Sequence, residues 1–217
     1  MKTVLAFETS GPVLSVALGT RNGEVVQLSR RGALLHSEYL IPLVDRLLKK
    51  KKLKLENIDA FAIDRGPGSF TGLRIGFSLL KGFLAVRKRA CYGALSLDMI
   101  SDRAKGSRLG VLRDARREKI YARFYRRQKG NWVAEKKLEV LSYSEFMARI
   151  TRETRLVGDP LTRYGGKPKV RPAFPSAATL VRWFQARDPR LSPLRAPKDL
   201  LPLYFRASEA EEKRRPR

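Results

Sequence analysis

The sequence predicts an α/β protein in which helices cover a mixed β-sheet. Two observations lead to this fold class: three short strands open the chain, and helices and apolar strands then alternate. Tight turns join antiparallel strands, whereas parallel strands need crossover connections that are usually helices. The predicted order β-β-β-α-β-α-β-α therefore gives one sheet with both antiparallel and parallel pairs.

The opening strands are predicted to form an antiparallel meander. Residues 2–9 (KTVLAFET) form an apolar strand, and residues 13–20 (VLSVALGT) show the alternation of a second strand. An Asn22-Gly23 pair, typical of a two-residue hairpin turn, then leads into a third strand at 24–30 (EVVQLSR).

Helical and strand patterns alternate after the meander, as crossover units require. The first helix is predicted over 36–52, because five apolar residues recur at helical spacing: Leu40, Leu43, Val44, Leu47 and Leu48. The elements that follow are a buried strand at 58–64, a helix at 70–87, a strand at 89–94 and a helix at 96–106 with Ser96 as its N-cap.

The second half opens with predicted hairpins, which suggest a degenerate repeat of the first unit. The expected elements are strands at 108–113 and 119–126, a QKGNW hairpin into a third strand, helices at 143–150 and 177–186 with TRLVGDP and a Pro/Gly-rich loop between them, and an extended path over 191–202. The predicted domains are an N-terminal lobe (1–106), a C-terminal lobe (107–208) and a frayed basic tail (209–217).

The composition excludes several classes of protein. The chain has 217 residues and is 43% hydrophobic, which suffices for a core and argues against disorder. No apolar run reaches about 18 residues, so no membrane helix is expected. The single cysteine, Cys91, fits a reducing, cytoplasmic location. His36 is the only histidine, so a His-containing metal cluster is excluded, and a Ser-His-Asp triad would have to use a residue that begins a predicted helix.

The charge points to a polyanionic partner. Lys and Arg number 46 against 21 Asp and Glu, a net charge of +25. Such a surface attracts RNA, although a generally basic proteome would give the same excess. The candidate RNA contacts are Arg116, Arg117, Lys119, Arg126 and Arg127.

A glycine-rich stretch at 64–82, DRGPGSFTGLRIGFSLLKG, carries the most information about function. A Walker loop would need a Gly-Lys pair, and a Rossmann fingerprint from Gly66 would need a third glycine where Thr71 stands, so neither specific motif is present. A weaker possibility is an anion held by the amides at the helix N-terminus. Its candidate contacts are Thr9, Ser10, Gly68, Ser69 and Arg74.

The alternative interpretation of this stretch is a packing joint. The helix after the glycines has two apolar faces, and Gly72 and Gly76 leave a flat strip that a neighbouring helix could approach. One face must pack on the chain's own sheet, and the other is covered either by the second half of the chain or by a partner protein. The predicted partner interface consists of His36, Tyr39, Leu40, Leu43, Leu47, Gly72, Leu73, Gly76, Phe77 and Leu80.

Several stretches together resemble the TsaB family. They are RGPGSFTGLRIG (65–76), HSEYLIPLVDRLL (36–48), the opening LAFETS, RDARREKIYARFY (113–125) and, more weakly, LPLYFRAS (201–208). The resemblance implies an actin/Hsp70/sugar-kinase-like (ASKHA) fold with two related lobes, each with a mixed sheet flanked by helices. The strand order derived above fits the first lobe.

The resemblance also implies a function without catalysis. Members of this family are dimerisation subunits of the bacterial machinery that makes threonylcarbamoyladenosine beside the anticodon of tRNA. They pair through their first two helices with the catalytic paralogue TsaD, or with a second copy when TsaD is absent, and an ATPase, TsaE, joins the complex. No cofactor of its own and no membrane are expected for this chain, with ATP and metal on the partner subunits and tRNA bound through the complex or directly.

The chain departs from the family pattern at a few positions. Glu8 stands where the family usually has Asp, and Glu118 and Lys119 replace the usual Gly-Glu. Two alternatives to the scaffold function stay open: a weak nucleotide hydrolase using Glu8, Thr9, Ser10 and Asp64, and a basic tRNA-binding module. A glycoprotease activity finds no support in these residues.

Overall fold

Two six-stranded mixed sheets form the framework of the protein. The structure, a computed structural model, describes residues 2–20, 23–32, 36–102, 104–160, 162–164 and 168–205. The Asn22 half of the predicted hairpin turn and the predicted tail at 209–217 lie outside the described residues.

The first sheet contains the predicted meander and two crossover units. Its strands are β1 (Val4–Glu8), β2 (Val13–Gly19), β3 (Val25–Arg31), β4 (Ala60–Asp64), β5 (Ala90–Ala94) and β12 (Ser192–Leu194), in the order β12-β5-β4-β1-β2-β3. β1, β2 and β3 pair antiparallel, whereas β1–β4 and β4–β5 are parallel. The predicted mixed sheet is therefore confirmed.

The two faces of the first sheet differ in the size of their side chains. Leu5 and Phe7 of β1 point to the face covered by α1 (His36–Lys50) and α2 (Phe70–Val86). Val4 and Ala6 point to the other face, where α5 (Ala177–Ala186) packs closely. The alternation along β1 thus places large residues under two helices and small residues under one.

The second sheet has the order β11-β10-β6-β7-β8, with β9 paired to β7. Its strands are β6 (Arg108–Asp114), β7 (Lys119–Gln128), β8 (Asn131–Ala134), β9 (Glu139–Ser142), β10 (Thr154–Gly158) and β11 (Arg171–Pro172). Two short helices pack against it, α3 (Ser96–Ser101) and α4 (Tyr143–Met147). Both helices end before their predicted last residues, 106 and 150.

Two parts of the second half differ from the sequence prediction. The TRLVGDP segment, to which the sequence prediction assigned no element, contributes β10, which pairs parallel with β6. Residues 177–186 and 192–194, assigned to the C-terminal lobe of 107–208, instead join the first sheet as α5 and β12. The physical reason is that the small-residue face of the first sheet needs a cover, and α5 provides it with Leu180, Val181 and Trp183.

No helix in the described part of the chain is both long and apolar enough to cross a bilayer.

Candidate functional site

The glycine-rich loop between β4 and α2 packs directly against the loop that follows β1. Gly66 has a φ of 97°, a left-handed conformation that favours glycine. A Cβ added at Gly68 would lie 2.4 Å from the carbonyl oxygen of Ser10, so the glycine there permits a close approach of two backbones. The Ser69 hydroxyl accepts a hydrogen bond from the Gly72 amide and caps α2.

Gly72 and Gly76 also face the chain itself. A Cβ at Gly72 would lie 2.0 Å from the Thr9 carbonyl oxygen, and one at Gly76 would lie 2.6 Å from the Thr9 hydroxyl. The flat strip predicted for a partner helix is therefore filled by Thr9 of the same molecule. The reason is that helix α2 must approach the end of β1 more closely than any side chain would allow.

A buried polar cluster lies where these loops meet. Its members are Glu8, Ser10, Asp64, Ser96 and Arg113, and all are almost inaccessible to solvent. The Ser10 hydroxyl is 2.7 Å from Glu8 Oε1 and 2.7 Å from Asp64 Oδ2. Arg113 Nη1 donates to the same hydroxyl oxygen at 2.7 Å. Asp64 also accepts hydrogen bonds from the Gly66 amide and from the Ser96 hydroxyl.

The contacts of Ser10 require one carboxyl of the cluster to be protonated. A hydroxyl has one proton to donate and two lone pairs that accept. Arg113 uses one lone pair, and the proton goes to one carboxylate, so the second carboxyl must donate to the remaining lone pair. Glu8 is the better holder of that proton, because it receives one other donor, the Ser10 backbone amide, and none from the described residues at its Oε2, whereas Asp64 receives two other donors.

The electrostatic surroundings of the two carboxyls also favour one shared proton, held by Glu8. Burial, and next the negative charge of Asp64, raise the pKa of Glu8 to about 8. Burial also raises the pKa of Asp64, although the hydrogen bond from Ser10 opposes the shift. With one proton on the pair, the remaining carboxylate and the Arg113 guanidinium cancel in charge, which is the arrangement a buried site tolerates.

Arg113 joins the two lobes. It lies on β6 of the second sheet, yet its guanidinium donates to the Pro67 carbonyl at 2.7 Å and to the Ser10 carbonyl at 3.0 Å, both in loops of the first sheet. Asp159, after β10, lies 3.7 Å from its Nε. The cleft between the lobes is therefore occupied at this point by the chain's own side chains.

The predicted anion contacts are brought together, but they bind one another. The Ser69 amide donates to the Ser10 carbonyl at 2.8 Å, and the Gly72 amide is used by the Ser69 cap. Arg74 lies apart from them, with its Cζ 4.0 Å from the centre of the Phe70 ring. Two amides of this helix N-terminus, those of Ser69 and Gly72, are therefore engaged inside the fold.

The predicted partner interface needs correction. Eight of its residues are buried within the chain itself: His36, Leu40, Leu47, Gly72, Leu73, Gly76, Phe77 and Leu80. Only Tyr39 and Leu43 are partly exposed. The apolar residues of α1 and α2 that do reach solvent, which the interface prediction did not include, are Ile41, Ile75, Leu79, Phe83, Leu84 and Val86. The helical spacing of these residues, beside the buried stripe, is the sequence pattern that predicts their partial exposure.

The predicted RNA contacts are all exposed but form two groups. Arg116, Arg117 and Lys119 lie at the β6–β7 turn, whereas Arg126 and Arg127 lie near the far end of β7. Seven residues of strand separate the groups, about 23 Å. The second group is also engaged locally: Arg126 pairs with Glu135, and Arg127 lies over the Trp132 ring.

Comparison with known proteins places this geometry in a family. The sequence profile of the family described as "TsaD: tRNA N6-adenosine threonylcarbamoyltransferase" matches residues 30–152. The Escherichia coli tRNA threonylcarbamoyladenosine biosynthesis protein TsaB is 32% identical over 166 residues, 71% of this chain and 70% of that protein. The Haemophilus influenzae protein of the same name is 40% identical over 80 residues, which span 37% of this chain and only 34% of that protein.

The fold agrees with the sequence comparison. The solved structure of YeaZ from Pseudomonas aeruginosa superposes with a TM-score of 0.76 at 25% identity and covers 94% of this chain and 100% of that chain. The two mixed sheets flanked by helices thus form the predicted two-lobed ASKHA-like fold. Since the profile covers more than half of the sequence and the E. coli protein aligns with most of it, this chain belongs to the TsaB family of tRNA threonylcarbamoyladenosine biosynthesis proteins.

Proposed function

We propose that this chain is a non-catalytic scaffold subunit that binds and supports a TsaD-type threonylcarbamoyltransferase. The observation that carries the proposal is a partly exposed apolar stripe on α2, formed by Ile75, Leu79 and Phe83. These residues recur every four positions, so they lie on one side of the helix. Their inner edges pack on the core, and their outer edges form an apolar surface of the kind that a partner helix covers.

Further apolar residues extend this surface. Ile41 of α1 is 60% exposed and Val86 at the end of α2 is 83% exposed, while Leu43 and Leu84 are partly exposed. Both helices cover the same face of the first sheet. In this proposal TsaD occupies the surface, and a second copy of the chain occupies it when TsaD is absent.

The geometry of the buried cluster supports a role without chemistry. Glu8 and Asp64 are the carboxylates a nucleotide hydrolase would use, and both are fully inaccessible to solvent. Arg113, Ser10 and Pro67 close the cleft above them. In the proposed complex, ATP and metal are held by partner subunits, TsaE among them, and tRNA is modified at the TsaD site.

Co-purification of the tagged chain with TsaD from the same host tests the proposal. Leu79→Glu places a charge on the apolar stripe and is expected to weaken the complex about 30-fold or more, the effect of an interface hot spot of about 2 kcal/mol. Ala85→Glu adds the same charge at an exposed position of α2, about 120° around the helix from Leu79, and serves as the matched control.

Thermal unfolding of both variants shows whether each remains folded. Selective loss of TsaD by folded Leu79→Glu protein supports the scaffold assignment. Equal retention of TsaD by both variants would show that this surface is not the binding site.

A further inference from the structure

The C-terminal strap, residues 200–205, crosses from one lobe to the other. The Leu203 amide donates to the Arg65 carbonyl at 2.8 Å, which fixes the strap beside the glycine-rich loop. Tyr204 stacks on Phe70 of the first lobe with ring centres 4.5 Å apart. The next residue, Phe205, meets Tyr121 of the second lobe edge-on, with ring centres 6.3 Å apart. The strap therefore presents aromatic side chains at the junction of the lobes.

Side chains of α2 and of the strap stack on one another there. The Arg74 guanidinium lies over the Phe70 ring, with its Cζ 4.0 Å from the ring centre, and Tyr204 stacks on the same ring. Arg74 is exposed, and Tyr204 remains 45% exposed although one of its faces is stacked. Removal of apolar surface from water does not by itself explain why Tyr204 and Arg74 stack here, because much of the surface of these two side chains still faces water.

The β6–β7 turn adds positive charge next to this stack. Arg113, just before the turn, and Ser69, at the start of α2, both bind the carbonyl of Ser10, so the turn and the helix N-terminus emerge side by side. Arg116, Arg117 and Lys119 of the turn are exposed. Arg116 and Arg117 adopt left-handed φ values of 63° and 45°, as does Glu118 with 57°, so three consecutive residues form this turn.

We propose that these residues form a binding surface for single-stranded RNA, with Tyr204 as the base-stacking platform. The stacking surface consists of Phe70, Arg74, Arg116, Arg117, Lys119 and Tyr204. An unpaired base stacks on the outer side of the Tyr204 ring, and the phosphates on either side of it lie at Arg74 and at the cations of the turn. The inference deepens the proposed function, because it gives this chain a direct contact with the RNA that the complex modifies.

The combination of groups selects RNA over an acidic protein. Carboxylates need only the cations, whereas a π face flanked by cations suits nucleobases, all of which have a π face of their own. Stacking of this kind tolerates any sequence, so the surface binds unpaired RNA without sequence specificity. The net charge of +25 strengthens the attraction at low salt.

Fluorescence anisotropy with two labelled 12-nucleotide probes tests the proposal. One probe is oligouridylate, and the other has the same ribose-phosphate backbone without bases. We expect the native chain to bind oligouridylate about 5- to 150-fold more tightly than the abasic probe, the contribution of one stacked base. Tyr204→Ala should reduce oligouridylate binding to the abasic level and leave abasic binding unchanged.

Three further variants complete the test. Tyr204→Leu keeps an apolar contact on Phe70 but removes the aromatic face, and it should lose the same preference while remaining folded. Arg117→Ala should weaken both probes and reduce the salt slope by about 1. Lys88→Ala removes one exposed charge at the other end of α2, about 27 Å away, and should change neither probe.

The outcomes separate this inference from the scaffold proposal. TsaD co-purification should survive Tyr204→Leu, and the preference for oligouridylate should survive Leu79→Glu. Equal binding of the two probes by the native chain, or equal weakening of both by folded Tyr204→Leu, would overturn the stacking surface and leave charge alone as the cause of RNA binding.

Discussion

The proton held by Glu8 makes a quantitative prediction for stability. Glu8→Gln replaces the protonated carboxyl by a neutral amide of the same shape. Because the Ser10 hydroxyl and the Ser10 backbone amide both contact Glu8 Oε1, the glutamine amide keeps one of these two hydrogen bonds. In the native chain the pKa of Glu8 is raised from 4.5 to about 8 by burial and by Asp64. Between these two values the folded chain keeps a proton that the unfolded chain has lost. The free energy of unfolding must therefore fall as the pH rises through this window.

The size of the effect follows from that one proton. Each pH unit lowers the free energy of unfolding by about 1.4 kcal/mol, so the loss between pH 6 and pH 8 is about 3 kcal/mol. For a chain of this length such a loss lowers Tm by roughly 6–12 °C. Above about pH 8 the folded state releases the proton too, and the stability levels off with respect to this group. The variant lacks the group and therefore lacks this slope.

Thermal unfolding at pH 6, 7, 8 and 9 at constant ionic strength provides the assay. The difference in Tm between Glu8→Gln and the native chain is expected to widen in favour of the variant up to about pH 8 and then remain constant. Glu56→Gln, at an exposed position, removes the same charge outside the cluster and should follow the native curve. Parallel curves for native chain and Glu8→Gln would refute the shared proton.

Two further predictions concern packing. Gly72→Ala should destabilise the fold by about 3 kcal/mol, because its Cβ would meet the Thr9 carbonyl oxygen at 2.0 Å. Gly82→Ala in the same helix has nothing within 4 Å of its Cβ and should stabilise the fold by about 1 kcal/mol. Chemical denaturation measures the free energy of unfolding of both variants, and similar effects of the two substitutions would contradict the close approach at Gly72. Burial raises the pKa of the Cys91 thiol to about 11, so little reactive thiolate is present at pH 8. Labelling of Cys91 by a disulfide reagent at pH 8 should therefore be slow and should accelerate only when denaturant unfolds the chain. Rapid labelling of the native protein would show that the thiol is accessible.

The first lobe was largely predictable because its signals are local. The alternation of larger and smaller side chains in β2 predicts a strand, and the glycine turn before α2 predicts the start of a helix; each signal lies within a few residues. The apolar spacing over residues 40–48 predicts the first helix, which the structure forms as His36–Lys50. These elements agree with the sequence prediction because local preference and tertiary packing favour the same structure.

Non-local packing set the limit of the prediction. Residues 154–158 show no alternation, and they form a strand because β6 provides a parallel neighbour more than 40 residues away. The glycines at 72 and 76 were recognised as a site of close approach, but the sequence does not say what approaches them. Thr9 lies more than 60 residues earlier, and only the fold brings it there.

The buried cluster was only half visible in the sequence. Glu8, Ser10 and Asp64, together with Thr9, are the sequence candidates for a nucleotide hydrolase. Arg113 was assigned no role there, although it closes the site from the other lobe. An arginine in a charged turn region is usually exposed, so its burial could not be inferred from composition or spacing.

The return of the chain to the first sheet has a consequence for synthesis on the ribosome. Strands β1, β2 and β4 emerge early, but the small-residue face they share stays uncovered until α5 has been translated. Residues 108–172, which include every strand of the second sheet, emerge in between. The second lobe can therefore complete its sheet before the first lobe is sealed, so the order of completion reverses the order of translation. A nascent chain paused before residue 177 would present the apolar surface of β1 and β4 to chaperones.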